Sequence, residues 1–537
     1  MRENRSAYIK NLLLPCVVFS SLAGVFTALA VFVFKILSSL VIELSGRIYA
    51  FVRSEPIYLP LLLLGAALMG LLSWLILNKN RECRGGGIPT AVATLRGFTP
   101  LKWIRSAFIM PLSSIITFFV GVPLGNEGPC VQMGTAIGQG TVRIFGKKRH
   151  QAWQRYIMTG GACSGFAAAT GAPVTGILFA VEEAHRRFSP MLFMVASISV
   201  VVGQATSEAL GRLTGVDSRL FHFRTSGAFP VRYFWTALIV GLICGIVAIF
   251  FTRAYRSCNR LVKKVLAKVP FAVKVIAIFA ITAVIGFFSA DSIGSGHGLI
   301  EALADGAGVW YMLIIFFVLR ALMMMLANTT GVTGGLFLPT LAFGAIIGAL
   351  CGKALVSLGA VGQGQYGMLV VMGMVSFLAS ASRTPITAIV FAAEALCGFE
   401  HILPVAIAVA VSYMVIEIFG IEGFNDTVIE AKIEASHGGR QPMIFDAFLT
   451  VQKDAFVVEK EIRDILWPPT CTVLSIEKNP DAKTRVGIAE GDVLHVHYQT
   501  FEPHSTFEEL ERLVGRQSED VRLKTHAGGK NHQVPEI

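Results

Sequence analysis

The chain has 537 residues, 54% of them hydrophobic and only 15% charged, with a mean hydropathy of +0.63; soluble domains carry about 25% charge, so water is the wrong solvent for it. The same balance excludes a disordered chain, a collagen and a secreted disulfide scaffold. The net charge of +11 calls for no nucleic acid, because the basic clusters at 143–155, 186–187 and 253–268 fall between apolar runs, as cytoplasmic loops of a membrane protein do.

Uncharged stretches recur at 15–34, 56–77, 107–124 and 233–252, and apolar runs return until about residue 419. Each is close to the roughly 20 residues that a helix needs to cross a bilayer. The runs do not alternate in polarity, which excludes a transmembrane β-barrel. The expected fold class is therefore an all-α polytopic membrane protein. The polar opening of six residues leads into an apolar region too long for a signal-peptide core and without a convincing cleavage site, so the first helix is expected to be retained. Nine cysteines stand singly, with no C-x-x-C spacing, and indicate neither a disulfide framework nor a zinc site.

The chain repeats itself once. Residues 121–138 laid over 331–348, an offset of 210, agree at seven of eighteen positions, including Gly125/Gly335, Pro129/Pro339, Gly134/Gly344 and Gly138/Gly348. Residues 173–182 laid over 385–394, an offset of 212, agree at six of ten, including Thr175/Thr387 and Glu182/Glu394. Two related membrane halves are the architecture of many transporters, whose sites lie at the repeat interface and are built from interrupted helices.

Three segments share a Gly-x-x-x-Pro frame, at 85–89, 125–129 and 335–339. With 53 Gly and 21 Pro, about two such frames are expected by chance, so their context carries the reading. Proline suits the first helical turn and glycine lets the backbone bend, which makes each frame a helix start in mid-membrane. A helix N-terminus offers unpaired N–H groups and the positive end of the macrodipole to an anion. Several aimed at one point would hold a dehydrated anion without trapping it. The candidate anion-binding residues are Gly86, Gly87, Ile88, Asn126, Gly128, Leu336 and Phe337. Glu127 lies within the second frame, where a carboxylate costs about 2.5–3.5 kcal/mol on insertion scales. An ionised Glu127 can itself occupy the anion site and leave it on protonation, acting as gate and proton carrier. Glu182 and Glu183 close a later apolar run just before His185, Arg186 and Arg187, where either could relay protons from the cytoplasmic side or pair with those arginines.

These motifs, in this order and flanked by this repeat, resemble those of the CLC chloride channels and proton-coupled chloride antiporters over residues 12–433. The resemblance implies two inverted halves of tilted, interrupted helices, roughly 12–210 and 228–425, and a homodimer with one pore per subunit. It implies that Glu127 is the gating glutamate, that the amides of Leu336 and Phe337 bind the central anion, and that Glu183 is the internal proton-transfer glutamate, an acid that the channels of the family usually lack. The chain departs from the family at Gly86, where a serine is common, at Asn126, where arginine is usual, and at Asn425, which takes the place of a tyrosine and joins the anion-binding candidates. The function implied is a proton-coupled, chloride-like anion antiporter, with a passive chloride channel and a fluoride/proton antiporter as alternatives on the same fold. A membrane enzyme would need more than the glycine context of Ser164 and Ser295, and a cation channel would need a T-V-G-Y-G filter, which is absent. The partners are chloride or a related anion, protons, the bilayer and a second copy of the chain; no cofactor or metal is expected. The location implied is a cell membrane, of the bacterial inner-membrane kind, with both termini cytoplasmic.

Residues 434–537 form the second expected domain, a small α/β cytoplasmic module. Strands are expected at 471–476 and 493–498, and a helix at 507–513 capped by Thr506 with Glu509 three residues on. His495 and His497 share one strand face, two ligands at most for a metal. The segments 472–476 and 487–496 are similar to the C-terminal ligand-binding domains of potassium-uptake regulators, which implies regulation by a small ligand of unknown identity.

Overall fold

In hydrocarbon every backbone amide must be satisfied within its own segment, so apolar runs become helices. The computed structural model describes residues 14–216, 220–221, 223, 229–438, 442–480, 487–517 and 523–525, and ten of its helices are long and apolar enough to cross a membrane. The first half comprises α1 (Leu14–Ser54), α2 (Leu59–Lys79), α3 (Gly87–Leu95), α4 (Trp103–Val120), α5 (Glu127–Phe145), α6 (Gln154–Thr170), α7 (Pro173–Phe179) and α8 (Pro190–Thr214). The second comprises α9 (Trp235–Val265), α10 (Phe271–Phe288), α11 (His297–Ala304), α12 (Trp310–Thr330), α13 (Phe337–Ser357), α14 (Tyr366–Ser382), α15 (Pro385–Phe391) and α16 (Ile402–Ile418), after which α17 (Phe424–His437) leads out of the membrane region. The order of long and short helices is the same in both halves, as the repeat predicts. Helices α3, α7, α11 and α15, of 7 to 9 residues, are too short to cross a bilayer that asks for roughly 20.

The matched glycines have a packing reason. A Cβ on Gly134 of α5 would stand 2.1 Å from the carbonyl oxygen of Gly161 in α6, and one on Gly344 of α13 would stand 2.4 Å from that of Gly373 in α14. Gly138 and Gly348 make the same approach one turn on, each with a carbonyl oxygen 2.4 Å from the Cβ position. Each half thus brings two helices together backbone to backbone, the contact that small residues permit where lipid supplies no hydrophobic drive between helices.

The C-terminal module is a four-stranded antiparallel sheet of order β2-β3-β1-β4, made of β1 (Met443–Thr450), β2 (Thr472–Glu477), β3 (Val493–Thr500) and β4 (Leu523–Thr525), with helix α18 (Pro503–Val514). Its core joins Phe445, Ala447, Leu449, Leu494, Val496 and Tyr498 to Leu510 and Leu513 of α18. β3 covers the expected strand at 493–498, and β2 lies one residue later than the one expected at 471–476. Helix α18 begins earlier than the capping pattern suggested, because Pro503 is preorganised for a first turn. Thr506 consequently lies inside the helix, where its hydroxyl pairs with that of Thr500 at 2.7 Å. His495 and His497 both face Asp446 across the sheet, at 3.7 and 2.8 Å. Asp492, fully buried in the turn into β3, accepts hydrogen bonds from Lys478, the Asn479 N–H and the Ala489 N–H.

The module is seated on the start of α6. Arg155 donates to the carbonyls of Leu95 and Trp467 and pairs with Glu509 at 2.9 Å. The buried Tyr156 hydroxyl donates to Asp464 O and accepts from the Leu466 N–H. Phe456 packs edge-on against Trp153, with ring centres 5.4 Å apart.

Candidate functional site

Three helices begin where the three Gly-x-x-x-Pro frames lie: α3 with Gly86 as its N-cap, α5 with Asn126 and α13 with Leu336. The frames meet through bare backbone. Gly125 and Gly335 exchange N–H···O bonds of 2.8 and 2.6 Å. A Cβ on Gly87 would stand 2.0 Å from Gly128 O, and one on Gly128 would stand 2.7 Å from the Cα of Gly335. Only glycine lets the three segments approach so closely. The first turns of all three helices, whose N–H groups have no partner in their own helix, therefore lie together and buried. The prolines at the ends of the frames fall in those first turns, where the missing N–H costs nothing. Ile88 is buried beside Gly87, and Phe337 packs edge-on against Phe166 and Phe391 at 5.1 and 5.2 Å.

Glu127 opens α5 at this junction and is completely buried. Its carboxylate folds back over Gly125, whose Cβ would lie 2.5 Å from Oε2. The N–H groups of Glu127 and Leu338 face it, yet neither oxygen completes a hydrogen bond of ordinary geometry. On one side a cavity of about 540 Å³, lined by Asn126, Leu338, Phe118, Ser295 and His297 among others, reaches the junction.

Glu182 and Glu183, though adjacent, are used differently. Both lie in a π-helical turn, Ala180–Ala184, that extends α7. Glu182 caps α15 of the other half, accepting from the N–H groups of Ile386 and Thr387 at 2.9 and 2.6 Å and from the Thr387 hydroxyl. Its repeat partner Glu394 caps α7 in the same way, through Val174, Thr175 and the Thr175 hydroxyl at 2.8–2.9 Å. This reciprocal exchange explains why Thr and Glu recur at the offset of 212. Replacing Glu182 by Ala orphans two N–H groups of α15, so we expect a loss of about 1 kcal/mol, seen as a lower melting temperature in detergent. Glu182→Gln, which keeps an acceptor, recovers part of it.

Glu183 is half-buried, and its Oε1 accepts from Asn425 Nδ2 at 2.8 Å. Neither arginine that follows it takes its carboxylate: Arg186 pairs with Asp426 at 2.7 Å and Arg187 donates to Ile465 O. Arg96, at the end of α3, binds the backbone carbonyls of Glu183 and Ala184. The structure thus brings together Gly86, Gly87, Ile88, Glu127, Gly128, Leu336 and Phe337, puts Asn126 at the cavity edge, and joins Asn425 to Glu183.

Sequence reasoning missed three groups. Lys432 of α17 donates to Arg84 O at 2.7 Å and to the Thr90 hydroxyl, which places an ammonium beside the start of α3. Nothing in the spacing of α17 marks it. Asn328, at the end of α12, and Tyr255, in α9, are joined by a 2.6 Å hydrogen bond from the tyrosine hydroxyl to Asn328 Oδ1; they lie outside every frame and were equally illegible. Glu394 was visible as a repeat match, but its capping role was not.

A sequence model of the family described as voltage-gated chloride channels matches residues 65–417. Among solved structures, the chain is similar to a slow cyanobacterial Cl⁻/H⁺ antiporter (22% identity over 78% of this chain and 98% of that one, TM-score 0.71). It is also similar to a eukaryotic CLC transporter (23%, 78% and 74%, TM-score 0.64) and to a CLC-type fluoride/proton antiporter (20%, 75% and 95%, TM-score 0.59). The family match spans both halves of the repeat and all three helix starts, and the fold agrees with it: the chain belongs to the voltage-gated chloride channel family.

Proposed function

We propose that the protein exchanges a chloride-like anion for protons across a cell membrane, with Glu127 as gate and outer proton carrier and Glu183 as the inner proton-transfer acid. The observation that carries this reading is Glu127: a fully buried carboxylate without a completed hydrogen bond, at the junction of three helix N-termini. Ionised, it competes with the anion for the same amides. Protonated, it loses that attraction and yields the place. The amides of residues 86–88, 128, 336 and 337 are the proposed anion ligands, with Asn126 at the cavity mouth. Asn425, whose amide is held by Glu183, ties the inner acid to the base of α17 and so bears on proton transfer more directly than on anion binding. A homodimer in a bacterial inner membrane, and a tail that regulates transport from the cytoplasm through a small ligand, complete the reading. Solved relatives that exchange Cl⁻ or F⁻ for H⁺ support it. The likeness to a fluoride/proton antiporter makes fluoride the second reading for the anion.

The test is the purified protein in liposomes with an imposed chloride gradient and the voltage held near zero. Uphill proton movement driven by chloride supports the antiporter. Anion flux without protons contradicts it in favour of a channel, and coupling to fluoride alone moves the anion assignment. In the same assay Glu183→Gln is expected to keep anion flux while proton movement falls to background; proton movement that survives takes Glu183 out of the pathway.

A further inference from the structure

Gly86 has no side chain, and the amide of Asn425 is engaged by Glu183. Neither position offers a free side-chain donor to the region in front of α3 and α13, yet one uncommitted donor stands there. Asn328 is 6% exposed, and its Nδ2 has no hydrogen-bond partner. Its Oδ1 is fixed by the hydroxyl of the buried Tyr255, which turns the NH₂ group the other way. The point it faces is defined by Gly86: a Cβ there would stand 3.2 Å from Asn328 Nδ2 and 3.2 Å from Cδ1 of Leu336, the N-cap of α13. The amide thus occupies the edge of the space that a serine side chain would fill. Lys432 lies close by, its Nζ 3.7 Å from the Cβ position of the neighbouring Gly85, and makes that space favourable to a negative charge. A buried N–H left without an acceptor costs about as much as a lost hydrogen bond, which an anion in that space would recover.

We propose that Asn328, oriented by Tyr255, is a side-chain ligand of the transported anion and sets which anion the site prefers. The inference rests on the anion-transport reading above and adds a residue to its site. A planar amide held by a second side chain donates in a fixed direction, unlike a freely rotating hydroxyl, so it discriminates among anions by size and shape.

The experiment measures chloride and nitrate binding to the purified full-length protein by calorimetry, and the chloride-to-nitrate flux ratio in liposomes, for the unsubstituted chain, Asn328→Asp and Tyr255→Phe. Asp keeps the acceptor for Tyr255 and removes the donor but also brings a negative charge beside the anion, so the uncharged Tyr255→Phe change separates the loss of an oriented donor from simple repulsion. A hydrogen bond to a charged partner corresponds to roughly a tenfold to hundredfold change in affinity, so Asn328→Asp is expected to weaken chloride binding by about tenfold or more. Tyr255→Phe frees the amide to rotate and is expected to shift the flux ratio with a smaller loss of affinity. If Asn328→Asp cannot be purified, the flux ratio of Tyr255→Phe decides. Unchanged affinity and ratio in a transporting protein overturn the role of Asn328 and leave the transport reading intact. An unsubstituted protein that neither binds nor moves anions overturns both.

Discussion

Glu127→Gln is expected to uncouple the protein: anions still cross, protons do not, and the pH dependence of anion flux disappears. The amide has nearly the shape of the protonated acid, so helices α3, α5 and α13 keep their junction, but it can neither carry the proton nor compete as an anion for the helix N-termini. The cost of burying a carboxylate at this depth, about 2.5–3.5 kcal/mol on insertion scales, is removed with the charge. The variant is therefore expected to be at least as stable as the parent, which separates loss of function from loss of fold. Proton movement that persists in a folded Glu127→Gln protein would remove Glu127 from the proton path.

Gly134→Val is expected to have the largest effect on folding. Its Cβ would lie 2.1 Å from a backbone carbonyl of α6, and no rotamer change relieves a clash with backbone. Overpacking a well-packed core already costs about 1–3 kcal/mol where side chains can shift, and here α5 must separate from α6 or the helices must break, so no monodisperse protein is expected on size exclusion. Gly65→Ala in α2 is the control. Nothing lies within 4 Å of its Cβ position, and alanine in a helix interior is favoured by roughly 0.5–1 kcal/mol. Normal yield of Gly134→Val would mean that α5 and α6 are not in backbone contact.

What the sequence made legible was what repeats or what costs energy. The halves were visible because Gly134/Gly344 and Gly138/Gly348 must both be glycine for their helix pairs to touch. Glu127 stood out because an acid in an apolar frame is expensive. The three helix starts followed from proline and glycine chemistry, and the structure places α3, α5 and α13 there. The pairing of Asn425 with Glu183, the exchange of caps between Glu182 and Glu394, and the positions of Lys432, Asn328 and Tyr255 were not legible. Each depends on side chains from elements far apart in the chain, and no local periodicity encodes which will meet. Strand β1 also went unread: its alternation is short, and the charged stretches around it dominate the composition of the tail.

The tail bears on the membrane region more closely than a tethered module would. Tyr156, Arg155 and Trp153 of the α6 entry are covered by residues 456–467 and by Glu509, and α6 packs against α5, whose first residue is Glu127.

The most direct measurement of the central claim is the reversal potential of the current through the reconstituted protein at a fixed chloride gradient while the pH gradient is varied. Coupled exchange predicts a reversal potential that moves with the pH gradient and, at equal pH on both sides, lies short of the chloride equilibrium potential. A value that stays at the chloride equilibrium potential at every pH gradient would contradict exchange and make the protein a passive anion conductor.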